Sequence, residues 1–215
     1  MTRQSALASP PELGALRFLS DEERAWLLRQ ALDVHQPGTP IWVFAYGSRI
    51  WRPALPAAET VGALVKGYHR GLCLWSCISL GTHETPGLVL ALDEGGECRG
   101  VAHRIDAEHV DAALAALSDR ELVIDSYRPR WLPCLLDGGR EVMALAFVLR
   151  KGAPNHAGEV TDTLERHVLR HAAGTQGSAR EYLTETVAGL RAHGIRDEHL
   201  EGLLQRRSEG RRVGK

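Results

Sequence analysis

The stretch Ile41-Trp42-Val43-Phe44-Ala45-Tyr46-Gly47-Ser48-Arg49-Ile50-Trp51 separates two kinds of sequence in this chain. Its first six residues are apolar and rich in β-branched and aromatic side chains, a run that suits a short buried strand. Gly47-Ser48 stops it. A buried strand that ends this way predicts a tight turn at a sheet end, with backbone N–H groups pointing outward where an anion or a developing oxyanion can be held. Glycine also lets that backbone approach a ligand with no Cβ in the way. Taken alone, such a strand and turn is ordinarily nothing more than a turn.

Upstream, the breaker run Gln36-Pro37-Gly38-Thr39-Pro40 separates the strand from a helix predicted over 21–34. Ser20 and Glu23 form its capping box, and residues 1–19, rich in Pro, Ser and Ala, read as a loose arm. Downstream, residues 60–76 predict one or two strands. Segments 88–92 and 98–105 flank Asp93-Glu94-Gly95-Gly96-Glu97, read as a hairpin turn. Segments 131–136 and 142–149 flank a second such turn, Asp137-Gly138-Gly139-Arg140. Between the two lies a helix over 107–117 with Val110, Ala113, Leu114 and Leu117 on one face. After Pro154 the pattern turns helical over 159–173, 179–193 and 197–207. Strands grouped in the middle and helices at the end predict an α+β fold with a curved, largely antiparallel, barrel-like sheet and surrounding helices, not a doubly wound one. The expected division is an N-terminal arm and helix (1–40), one domain (41–207) and a short basic tail (208–215).

The 26 Lys+Arg and 27 Asp+Glu balance to a net charge of −1, which gives no reason to expect nucleic acid or an acidic membrane as partner. No uninterrupted apolar run reaches the ~18 residues of a membrane span, and the first residues lack a signal-peptide pattern. Cys73, Cys77, Cys98 and Cys134 form no C-x-x-C pair and are too few for a disulfide scaffold; they read as buried thiols in a reducing cytoplasm. The P-loop, G-x-G-x-x-G, H-E-x-x-H and G-x-S-x-G patterns are all missing from the sequence. His167 and His171 stand four apart on a predicted helix, but no third metal ligand is evident near them, so they read as an exposed helical pair.

The opening stretch resembles the Y-G-S loop of the ChaC-type γ-glutamylcyclotransferases, whose pattern is close to F-G-Y-G-S-L-[IVM]-W. Further blocks follow in the same order: Gly67-Tyr68-His69-Arg70-Gly71-Leu72-Cys73-Leu74, then Gly81-Thr82 and Pro86-Gly87, then Cys98 through Ile105. Asp119-Arg120-Glu121-Leu122, Tyr127-x-Pro129-x-Trp131 and Glu181-Tyr182-Leu183 complete the series, which spans residues 41–204. Each block is weak, and their shared order is what makes the combination specific.

The resemblance implies a barrel-like fold and cofactor-free, metal-free cleavage of glutathione to 5-oxoproline and cysteinylglycine. It makes Glu121 the catalytic acid/base; without it, an acidic residue after a helix end beside Arg120 would read as a surface charge. The chemistry asks for such a group. The substrate's α-amine attacks its own γ-amide carbonyl, and an amine of pKa near 8 must first lose a proton. The expected substrate-binding residues are Tyr46, Gly47, Ser48, Arg49, Ile50 and, from the late block, Tyr182. Glu181 follows Ser178 in a capping box and reads as a helix cap. Two departures stand out: Arg49 where the family has an apolar residue, and Leu80 where it usually has Arg. Arg49 either pairs a substrate carboxylate or points to solvent. Both departures leave the exact substrate open, with other γ-glutamyl amines or peptides as the alternative. A rival of another class is a non-catalytic binding module of the same fold, and Glu121 speaks against it.

Overall fold

The computed structural model describes residues 16–205, so the basic tail and the first fifteen residues of the arm lie outside the described part. Five strands close into a barrel in the order β1-β3-β2-β4-β5: β1 (Ile41–Ala45), β2 (Ala57–Ser76), β3 (Gly87–Ile105), β4 (Tyr127–Leu136) and β5 (Glu141–Leu149). Helices α1 (Asp21–Leu32), α2 (Val110–Glu121), α3 (Asp162–His171), α4 (Ala179–Ala192) and α5 (Glu198–Gln205) pack around it. The α+β expectation holds. All pairings in the barrel are antiparallel except the seam, where β1 runs parallel to β5 with Trp42 opposite Ala144.

The continuous apolar run of β1 follows from burial on both faces. Trp42 and Phe44 point into the barrel with Ala63, Val65, Leu92, Leu132 and Ala146. Ile41 and Val43 point out under α1 and α2, with Leu28, Leu114, Leu117 and Phe147. On another side Leu72, Trp75, Leu88 and Leu90 meet Val168, Leu183 and Leu190 of α3 and α4.

Gly95-Gly96 is not a hairpin turn. The ladder continues through it, with Lys66 opposite Glu97 and Tyr68 opposite Glu94, so that Gly95 and Gly96 face the single Gly67. All three have positive φ (98°, 69° and 85°), which makes a bulge that bends one long ribbon. A paired glycine with positive φ marks a tight hairpin equally well, so the sequence reading could not tell them apart. The actual β2–β3 connection is residues 77–86. The second glycine hairpin, over 137–140, stands as expected. β4 starts at Tyr127, four residues earlier than predicted. Pro129 and Pro133 are tolerated there because β2 pairs with β4 only at Cys134, Leu135 and Leu136.

Two further differences bear on the site. α2 runs to Glu121, one turn beyond the predicted end, because Leu122 at its C-cap is fully buried and continues the apolar face that Ser118-Asp119 interrupts. Residues 16–19 are not loose. The Leu19 N–H donates to Val123 O, the Asp125 N–H donates to Arg17 O, and Phe18 bridges Ile124. α1 carries the expected Ser20/Glu23 capping box and shares a core with β1 and α2.

Candidate active site

At the end of β1 the chain turns at Tyr46-Gly47 into a single 3₁₀ turn, Ser48–Ile50. Its first hydrogen bond is Ile50 N–H to Gly47 O, so the N–H groups of Gly47, Ser48 and Arg49 precede any intrahelical acceptor. Side chains from three distant segments hold this turn, and its own Tyr46 reaches a fourth. Arg70 of β2 donates its Nε to Tyr46 O and its Nη1 to Asp197 (2.7 Å) at the start of α5, and a further nitrogen reaches Arg99 O. His103 of β3 is buried, and burial holds its pKa below the usual imidazole range. A carbonyl only accepts, so the neutral ring donates Nε2–H to Arg49 O (3.3 Å), while Nδ1 accepts from Thr60 (3.0 Å). Arg120 of α2 donates to Ser48 Oγ (2.6 Å). The Tyr46 hydroxyl donates to Phe147 O (2.7 Å).

Glu121, the last residue of α2, faces this turn with its side chain 18% exposed. One carboxylate oxygen accepts from Arg49 Nε at 2.8 Å, and Arg120 Nε stands 3.9 Å from the same oxygen. Arg49 is therefore not at the surface, and two of its three guanidinium nitrogens are already committed. It is buried, bound to Glu121 and to Pro53 O (3.1 Å), with its Nη2 buried and without a hydrogen-bond partner among the described residues. An orphan cationic donor beside a cleft invites an acceptor from outside the chain.

Three tyrosines close the inner wall. Tyr182 of α4 accepts the Leu90 N–H (3.2 Å), and Tyr127 of β4 donates to Leu90 O (3.3 Å). A Cβ on Gly47 would sit 3.2 Å from the Tyr182 hydroxyl oxygen, tighter than ordinary contact, which accounts for glycine at that position. Burial pushes the Tyr182 phenol up to about 12 and those of Tyr46 and Tyr127 well above the usual range, so all three keep their protons at neutral pH. The walls enclose a cleft of about 910 Å³ lined by Glu121, Arg49, Arg120, the three tyrosines and Leu80, among others. That size lies in the range of small-molecule sites, about 300–1,000 Å³. Leu16 and Phe18 form part of its rim.

The structure thus brings together Glu121, Tyr46, Gly47, Ser48, Arg49 and Tyr182 at one cleft, while Ile50 is buried beneath it against α4. Glu181 caps α4 through Ser178 as expected. Sequence reasoning gave no role to Arg70, His103, Arg120 or Tyr127. All four lie inside the quoted blocks, and only their three-dimensional partners distinguish them from their neighbours. The histidine pair is exposed on α3, its rings 4.5 Å apart.

The sequence pattern of the family described as ChaC-like protein matches residues 41–209. The glutathione-specific γ-glutamylcyclotransferase of Escherichia coli K12 is 34% identical over 86% of this chain and 80% of its own length. The human glutathione-specific γ-glutamylcyclotransferase 1 is 28% identical over 76% and 77%. Among solved structures, the yeast γ-glutamyl cyclotransferase specific to glutathione superposes with a TM-score of 0.72 at 20% identity, covering 82% of this chain and 99% of that one.

Proposed function

The chain belongs to the ChaC-like family, and from that premise we propose that it is a γ-glutamylcyclotransferase that cleaves glutathione to 5-oxoproline and cysteinylglycine. The observation that carries the reading is the placement of Glu121, a half-buried carboxylate fixed by the end of α2 against the turn at Tyr46–Ile50.

The γ-glutamyl group lies on this turn, its α-ammonium next to Glu121. The carboxylate takes one proton, and the freed amine attacks the γ-carbonyl carbon to close a five-membered lactam. Charge that develops on the carbonyl oxygen meets backbone N–H groups at the start of the 3₁₀ turn. As the C–N bond to the cysteinyl residue breaks, Glu121 returns the proton to the leaving nitrogen, and the freed carboxylate then takes the second proton that the ring nitrogen sheds to become a neutral lactam. The three phenols stay neutral, so none competes with Glu121 as a base. The orphan Nη2 of Arg49 supplies a partner for a substrate carboxylate. Four free, buried cysteines suit a reducing cytoplasm.

A second reading rests on Leu80, an apolar side chain in the cleft wall where the resemblance expects Arg: a wider range of γ-glutamyl peptides or amines. One experiment addresses both. Purified protein is incubated with glutathione and, separately, with γ-glutamylalanine, and 5-oxoproline is quantified. Equimolar 5-oxoproline and cysteinylglycine from glutathione alone supports the first reading. Equal turnover of both supports the second, and no product from either would leave a binding module.

A further inference from the structure

Behind the cleft, the ribbon of β2 and β3 carries a second group of reactive side chains. Cys73 Sγ, a carboxylate oxygen of Asp93 and a ring nitrogen of His156 all lie within 4.8 Å of one another. His156 Nε2 stands 3.3 Å from Asp93 Oδ2. Cys73 is buried, while Asp93 and His156 are each a little over a quarter exposed, so the group opens to solvent on one side.

Three separate segments build it. A bulge between Gly71 and Leu74 sets the course of β2 at Cys73. His156 arrives from the β5–α3 connection, which is stitched to β2 by the bridge between Leu74 and His156 and by the Ala157 N–H to Cys73 O bond (2.7 Å). His69 lies opposite Asp93 in the ladder and therefore on the same face of the sheet. Its Nδ1 donates to Gly95 O (3.2 Å), which leaves Nε2 with a free lone pair. Metal-binding histidines are commonly held in this way by a carbonyl on the other nitrogen. A Cβ placed on Gly71 would stand 3.2 Å from Cys73 Sγ and 3.7 Å from His69 Nε2. The missing side chain thus leaves a gap between a thiol and an imidazole.

We propose that Cys73, Asp93 and His156, with His69 as fourth ligand, form a binding site for a thiophilic divalent cation, best matched by Zn²⁺. One sulfur, two imidazole nitrogens and one carboxylate oxygen are a donor set that zinc takes in tetrahedral array. Bond lengths of about 2.3 Å to sulfur and 2.0–2.2 Å to nitrogen and oxygen put neighbouring ligand atoms roughly 3.3–3.8 Å apart. Reaching that spacing needs a contraction of about 1 Å for the three-residue group and a swing of the exposed His69 ring. The thiol binds as thiolate, so the cation displaces its proton on binding. The ion touches no reacting atom. It clips together strand residues whose neighbours Leu74, Trp75, Val89 and Asn155 line the cleft, and so fixes the rear wall of the site.

The test is a titration of chelator-treated, reduced full-length protein with Co²⁺, then Zn²⁺. One equivalent of Co²⁺ should produce a thiolate-to-cobalt charge-transfer band with the visible bands of a four-coordinate ion, and Zn²⁺ should abolish both. Cys73→Ser should lose the charge-transfer band. Asp93→Asn and His156→Gln, both on the solvent side, should weaken Zn²⁺ binding by roughly 100-fold, the upper end of what even outer partners of a metal ligand contribute. Gly71→Ala, which fills the gap without removing a donor, should also weaken it. The thermal midpoint should rise with Zn²⁺ in the parent and stay unmoved in His156→Gln. Absence of the charge-transfer band at millimolar Co²⁺, or its persistence in Cys73→Ser, would overturn the assignment.

Discussion

The turn at Tyr46–Ile50 has two sides, and an arginine–carboxylate pair stands on each. Behind it, Arg70 spends its guanidinium on Tyr46 O, Arg99 O and Asp197, with only 5% of its side chain exposed. In front, Arg49 reaches Glu121 and Pro53 O and keeps Nη2 without a partner among the described residues, at the wall of a 910 Å³ cleft. A network whose donors and acceptors all match is a brace, because any change leaves a buried group exposed to its full desolvation cost. One left a donor over is where a ligand can add something. The contrast marks the rear pair as a brace and the front pair as the one with a donor to spare.

Breaking the rear pair should have the largest effect. Arg70→Met leaves Asp197 beside a low-dielectric wall without its cation, and removal of one member of a buried pair typically costs about 3–5 kcal/mol. Urea denaturation should show a lowered midpoint with unchanged slope. A loss under ~1 kcal/mol would place this pair with ordinary surface pairs. On the front side, Glu121→Gln keeps size and shape but cannot take the ammonium proton. Its kcat should fall at least ~100-fold in a variant that still folds, since acid–base catalysis contributes about 10²–10⁴-fold. A folded variant with near-normal turnover would remove Glu121 from the mechanism. Arg49→Leu, the residue type of the resembling pattern, should raise KM for glutathione about tenfold and change kcat less, the signature of lost uniform binding. An unchanged KM would make Arg49 a positioning partner of Glu121 alone. The smallest effect is expected from Tyr182→Phe, which removes the acceptor of the Leu90 N–H. About 1–2 kcal/mol of stability should go, with the two pairs themselves intact.

The sequence made the front of the site legible and its back illegible. Tyr46 through Ile50, Glu121 and Tyr182 were all expected at the site from the ordered blocks. Arg49, open between ligand and solvent in the sequence, lies buried against Glu121, 72 positions away. Arg70 and His103 stood in view in those blocks, yet nothing local shows that their side chains end on the carbonyls of residues 46 and 49. The fold class followed from strands grouped before helices. The glycine pair at 95–96 misled because positive φ is a property of the residue, while turn or bulge depends on whether strands pair beyond it. The group at 73, 93 and 156 has no sequence signature, since its ligands come from three segments with no fixed spacing.

The parallel seam between β1 and β5 has a consequence for how the chain acquires activity. Trp42 must find Ala144, about a hundred positions away, and closing so long a loop is entropically costly and slow. The β2–β3 ribbon can zip locally, but the turn at Tyr46–Ile50 takes its shape from Arg70, His103 and Arg120, and Arg70 is itself held by Asp197. A nascent chain therefore carries every residue assigned to chemistry on the ribosome well before it can use them. The brace behind the turn is complete only once Asp197, just before α5, has been made.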